Sequence, residues 1–271
     1  MLLRSETERK NNVKETTMVA AMVMAAGIMG GCGTHYKLSQ PEVSFERMGL
    51  INDPAQVGRL EKAVTDGDIA RLLDVDVRAK LPTKVALARV VRPSEWCPPA
   101  LAQISAEELK QWDEIAEAQR YITGVQPVSP LAVGAGGDGN KNLPSLHSLR
   151  LAAARMNCEL LLVYVRADSS VDNFNSAAAL YWTVVGLWLA PGNVLEHQTV
   201  IQGILVDCRT GMILGTATGD SHLKESTAAA YTSIVEDKLR RQAPKDALAD
   251  FREGCKRLLA DVVLEAARGR S

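Results

Sequence analysis

Residues 160–165 read LLLVYV, six apolar side chains in a row with no polar position to turn toward water. A strand written that way is buried on both faces, so it belongs in the middle of a sheet with helices over each side. The residues before it supply one such helix: Leu146, Leu149, Ala153 and Met156 repeat at three-four-three spacing, which predicts an amphipathic helix over 145–157. A helix that feeds a fully buried strand points to an α/β fold, a three-layer sandwich with a mixed sheet flanked by helices.

The neighbouring segments extend this pattern. Residues 84–91 (KVALARVV) predict a first core strand that ends before Pro93. Ser105 and Glu108 form a capping-box pattern ahead of a helix on which Leu109, Trp112, Ala116 and Ile122 share one face. Residues 125–133 read as extended, and Pro127 and Pro130, each without a ladder donor, place that segment at a sheet edge. The polar stretch 168–176 (DSSVDNFNS) reads as a loop. After it, 177–190 (AAALYWTVVGLWLA) reads as a strand with a bend near Gly186, because Tyr181, Trp182, Thr183, Val184 and Val185 are strong strand formers. Residues 200–206 and 212–218 flank DCRTG, a hairpin turn in which Gly211 supplies a positive φ. A helix over 225–241 is expected to break near Pro244 and resume with Leu248, Phe251, Cys255, Leu258 and Val262 on one face. Two shorter helices, over 53–64 and 68–73, precede the first strand. Trp112, Trp182 and Trp188 are expected in the core, and Trp96, among prolines in a loop, is the exception.

The amino-terminal residues specify an address. Residues 17–31 (TMVAAMVMAAGIMGG) form an uncharged apolar run preceded by Arg4, Arg9, Lys10 and Lys14. The run is too short to span a hydrocarbon core about 30 Å thick and suits the apolar region of a signal peptide. It stops at Met29-Gly30-Gly31-Cys32, which resembles the lipobox of bacterial lipoproteins although Met29 stands where leucine is usual. That resemblance implies cleavage before Cys32, acylation of its thiol and anchoring in the bilayer. Gly33 is not the aspartate that commonly retains lipoproteins in the inner membrane, so the expected residence is the periplasmic face of the outer membrane. The chain then divides into a signal peptide (1–31), a lipidated tether (32–53) and one main α/β domain (54–271).

Of 31 Lys and Arg and 32 Asp and Glu, four and three precede Cys32, which leaves 27 against 29. Without a basic excess there is no electrostatic footprint for nucleic acid. Cys97, Cys158, Cys208 and Cys255 fit either disulfides, natural in an oxidising compartment, or free buried thiols, and the spacing does not rank the three full pairings. None belongs to a CxxC pair, which argues against a zinc site. Gly134, Gly136 and Gly139 match GxGxxG, but residues 140–144 separate them from the next helix, so its first amides would not meet a pyrophosphate; a surface loop is expected and no cofactor. His35, His147, His197 and His222 are scattered, no GxSxG elbow is present, and each histidine reads as structural or solvated. Nothing in the pattern requires an enzyme.

Residues 204–219, ILVDCRTGMILGTATG, resemble a recurring hairpin of envelope lipoproteins related to the curli-secretion lipoprotein: a strand ending in Asp, a Thr-Gly turn, then a return strand of small residues. Residues 149–165 similarly look like their helix leading into a core strand. The resemblance implies a three-layer α/β domain, shared with peptidoglycan-synthase activators, that acts through contacts with envelope proteins. No contact motif of that family carries over to a residue here. The functional expectation is a lipoprotein of envelope assembly or scaffolding. Two other readings stay open: a homo-oligomeric export component resembling the curli-secretion pore, and a nucleotide-binding or enzymatic domain using residues 134–139.

The lipobox reading has a direct test. Cells fed an alkynyl fatty acid should label the wild-type chain and leave Cys32→Ser unlabelled; equal labelling of the two would remove the anchor.

Overall fold

A computed structural model of the chain describes residues 38–39, 41–43, 45, 48, 50, 80–92, 97–134 and 144–268. Cys32, Trp96, the two helices expected before residue 80, and the glycine loop beyond Gly134 lie outside the described residues. The fold is α/β, built on a mixed six-stranded sheet.

In chain order the elements are β1 (Thr83–Val91), β2 (Ala100–Leu101), α1 (Ala106–Glu117), β3 (Ile122–Pro127), α2 (Pro130–Gly134), α3 (Leu146–Arg155) and β4 (Cys158–Phe174). A 3-10 helix (Ser176–Trp182) and α4 (Val184–Leu189) follow, then β5 (Asn193–Asp207), β6 (Ile213–Thr227), a 3-10 turn (Ala229–Tyr231) and α5 (Thr232–Arg268). The sheet runs β2-β1-β4-β5-β6, and β3 lies on the same edge of β1 as β2. β1 pairs parallel with β4, Val85 opposite Leu160 and Val90 opposite Val165, and parallel with β3 along residues 83–87. The bonds from Cys208 N to Glu159 O and from Asn175 N to Gly192 O make β4 and β5 antiparallel, and a tight turn joins β5 to β6.

Two compact units divide these residues. One holds Gln40–Asp168, Gln198–Ser221 and Ala243–Ser271; the other holds Met1–Ser39, Ser169–His197 and His222–Gln242. In the first, the period of two in β1 and β4 splits the apolar residues between two faces. Val85, Leu87, Leu160, Leu162 and Tyr164 meet Trp112 of α1 and Phe251 of α5. Ala86, Ala88, Val90, Leu161 and Val163 meet Leu149, Ala152 and Ala153 of α3. This is the three-layer arrangement expected of LLLVYV.

Local chemistry sets the ends of the elements. Ser145 and Ser148 cap α3 reciprocally, and Asn157, at φ 58°, takes the left-handed conformation that ends it. Ser105 accepts from Glu108 N at 3.1 Å, but the Glu108 carboxylate turns away from the cap into the core. Ile122 opens β3 instead of closing the α1 face. Only part of 125–133 is extended: β3 ends at Pro127, and Pro130 starts α2, a first-turn position where no N–H is required.

Three further expectations are corrected. Residues 168–174 continue β4 rather than looping, because the ladder to β5 extends to Asn175 and satisfies the backbone of a sequence with few apolar residues. Residues 177–190 are helical rather than extended: Asn175 caps the 3-10 helix at Ala177 N, and Thr183 caps α4 at Gly186 N. α5 continues through Pro244, since a stripe of Ala243, Ala247, Phe251, Cys255 and Leu259 is buried and compensates for the lost donor.

Gly219 of β6 sits where a Cβ would run into the Ala247 carbonyl and the Phe251 amide. Gly219→Ala should therefore lower stability by about 1–3 kcal/mol in chemical denaturation, as overpacked sites do. Gly254, within α5, has only ordinary contacts at 3.5 Å awaiting a Cβ, so Gly254→Ala should be neutral or stabilising by up to about 1 kcal/mol.

Candidate functional site

Residues 173–195 contain no charged side chain. They fold back on themselves at a single point of the β4–β5 ladder. Asn175 N donates to Gly192 O at 2.8 Å, and Asn175 Nδ2 donates to Pro191 O at 2.7 Å. Thr183 links the two short helices, accepting from Gly186 N and donating to Leu180 O, both at 2.9 Å. Gly186 makes this possible: a Cβ there would occupy the Leu180 carbonyl, and one at Gly192 would strike Ala178. Tyr181 Oη donates to Thr227 O at 3.3 Å, and the Trp188 ring meets Tyr231 edge-on at 6.0 Å.

Asn175 and Thr183 thus bond the segment's own backbone, while several of its large apolar side chains face solvent. Trp182 is 95 % exposed, Val184 77 %, Leu189 76 % and Trp188 54 %, so the expectation of Trp182 and Trp188 in the core is overturned; of the three described tryptophans only Trp112 is buried. Sequence reading missed the surface because a strand placed those side chains against helices. The signal for it was the length of uncharged sequence containing two tryptophans. Near the segment Glu196 pairs with Lys224 at 2.6 Å and His222 at 3.5 Å, and Glu225 with Lys238 at 2.8 Å. The hydrogen bond from Lys224 holds the Glu196 carboxyl below the usual carboxylate range.

The other unit carries a second surface, an open groove of 420 Å³ between α1 and α5. Ile115, Ala118 and Ala249 give it apolar ground, while Glu114, Glu253, Arg252 and Lys256 line it with both charges. Arg252 also bonds Gln111 across it.

The same unit holds a buried polar link. Tyr164 Oη donates to Glu108 Oε1 at 2.5 Å, and Arg89 Nη1 donates to Glu108 Oε2 at 2.9 Å. Burial, with Glu108 alongside, pushes the Tyr164 hydroxyl well above its ordinary range, which keeps it a donor.

The hairpin residues have structural tasks. Asp207 Oδ1 accepts from Arg209 N at 2.8 Å, Thr210 Oγ1 from Met212 N at 3.2 Å, and Gly211 adopts φ 79°. Arg150 of α3 donates to the carbonyls of Cys208 and Arg209, and Arg209 forks onto Glu159 at 2.5 and 2.6 Å. Among the histidines, His147 is exposed, His197 is buried and His222 faces Glu196; His35 lies outside the described residues. Among the described residues no group of three or more His, Cys, Asp and Glu is placed to hold a metal ion, and no helix is long and apolar enough to cross a membrane.

No protein-family model matches the chain, and no curated protein sequence matches it. Solved structures do. The LpoB C-terminal domain from Salmonella enterica is 12 % identical with a TM-score of 0.26, over 56 % of this chain and 91 % of that one. Lipoprotein GNA1162 from Neisseria meningitidis is 12 % identical with a TM-score of 0.32, over 59 % and 97 %. Protein XCC0632 from Xanthomonas campestris, of family DUF330, is 8 % identical with a TM-score of 0.24, over 69 % and 87 %.

The four described cysteines are free: Cys97 is exposed, Cys208 half-buried, and Cys158 and Cys255 buried. Burial pushes the Cys255 thiol up to about 12, and burial together with Asp207 does the same to Cys208, from an ordinary 9.0. At pH 8 a maleimide should therefore label Cys97 in the folded protein and reach Cys255 only after denaturation. Because the folded thiols hold protons that the unfolded ones release above about pH 9, their contribution to stability is intact below pH 9 and is lost as pH rises toward 12. A denaturation midpoint that rose over that interval would contradict the assignment.

Proposed function

We propose that this chain is an envelope lipoprotein, acylated at Cys32 and held at the periplasmic face of the outer membrane, that acts in assembly or scaffolding through contacts with other envelope proteins. The observation that carries the reading is the groove between α1 and α5, lined by Ile115, Ala118 and Ala249 together with Glu114, Glu253, Arg252 and Lys256. A groove that offers some apolar contact together with charges of both signs suits a non-obligate protein contact. Charges of both signs select a partner's orientation more than they add affinity. The lipobox pattern at Gly30-Gly31-Cys32 supports the address, and the hairpin pattern Asp207, Thr210, Gly211 supports the class.

Scaffolding of this kind needs no bound cofactor and no nucleic acid, only an anchor and a surface. A photo-crosslinking residue at Glu114, activated in living cells, should yield an adduct with a distinct envelope protein. Reversing Arg252 and Lys256 to Glu should weaken it about tenfold, the scale of one or two interfacial charge pairs. An adduct only with a second copy of the chain would favour the homo-oligomeric export reading, and no adduct at all would sink the groove as a contact.

A further inference from the structure

The uncharged surface formed by the 3-10 helix Ser176–Trp182 and by α4 faces solvent with two tryptophans and a row of aliphatic side chains. Apolar area of that kind in water is unfavourable by about 25 cal/mol per Å², and soluble surfaces seldom keep it uncovered without a purpose.

The tether identifies what covers it. Ser39 Oγ lies 3.5 Å from Ser169 Oγ on β4, and both belong to the unit that carries the apolar surface. Ser39 lies seven positions after Cys32. A chain that long reaches at most about 25 Å even fully extended. An acylated Cys32 therefore holds Ser39 within that distance of the bilayer and Ser169 within roughly 30 Å, and Phe174, at the end of the same strand, is five residues further, about 17 Å along it. The surface begins there.

We infer that this surface docks on the lipid bilayer, seating Trp182, Trp188, Val184, Val185 and Leu189 in the interfacial layer beside the acyl anchor. The inference rests on acylation of Cys32. The side chains suit the site: tryptophan, apolar in body with one N–H, concentrates at the headgroup level, and no charge within 173–195 has to be desolvated. The helices lie on the interface rather than across it, since they are only seven and six residues long. The tether makes contact intramolecular, so a partition that would be weak from solution becomes populated. The anchor and the surface then act as two membrane signals in one unit.

The test uses the full lipidated protein in vesicles of phosphatidylethanolamine and phosphatidylglycerol whose acyl chains carry bromine, which quenches tryptophan on contact. Emission of the wild type should fall relative to unbrominated vesicles. Replacing Trp182→Phe and Trp188→Phe together should remove the quenchable part, while keeping the surface apolar and the fold undisturbed. Val185→Asp with Leu189→Asp should leave the protein anchored and its tryptophans unquenched. Unquenched emission from wild-type protein that carries fatty acid would overturn docking, as would a cross-link from residue 182 to a second copy of the chain. Absence of fatty acid at Cys32 would strike the anchor alone, and adding that unacylated protein to brominated vesicles decides the surface: quenching there sustains it and none overturns it.

Discussion

Strand β4 has two neighbours in the sheet and, over Leu160 to Val165, a helix layer on each face, so every one of those side chains is shielded from water. The remaining elements answer to that requirement. Parallel pairing with β1 forces a crossover between them, which α1, β3 and α3 provide. The strand's period of two sends Leu160, Leu162 and Tyr164 to α1 and α5, and Leu161 and Val163 to α3. A slip of one residue would exchange the two sets and empty both cores at once.

One polar bond crosses this arrangement. Tyr164 is fully enclosed, yet its hydroxyl reaches Glu108, and Glu108 reaches Arg89. The carboxylate that would have completed the cap of α1 is used instead to tie that helix to two strands. Leaving the cap half made costs about 1 kcal/mol or less, whereas an unpaired buried carboxylate would cost several times that. The link therefore fixes the rotation of α1 on the sheet, and with it the side of α1 that faces α5 at the groove.

The sequence revealed the fold wherever burial dictated the pattern. LLLVYV, the stripe Leu149 to Met156, the strand around Ala86 and the hairpin at Gly211 were each legible because water excludes the alternatives. Legibility failed where hydrogen bonding settled the matter. Residues 168–174 carry few apolar groups and gain their strand from the ladder partner, and 177–190 hold strand-forming side chains that two caps, Asn175 and Thr183, wind into helices. Pro244 signals a break only if no packing opposes it, and Ala243 and Ala247 oppose it. Of the candidate sites, the apolar segment was visible as composition, but its exposure was not, since hydrophobicity does not say which neighbour a side chain will meet. The groove had no sequence signature, because it joins residues more than a hundred positions apart.

The closure at Asn175 and Gly192 carries a broader implication. Two adjacent strands normally need a connection of only a few residues, and here sixteen intervene between partners already joined by a backbone hydrogen bond. Natural variation can therefore lengthen, shorten or rewrite it without renegotiating the interior, as immunoglobulin frameworks tolerate exchange of their variable loops. A lineage carrying this scaffold would diversify first at that excursion and last along LLLVYV.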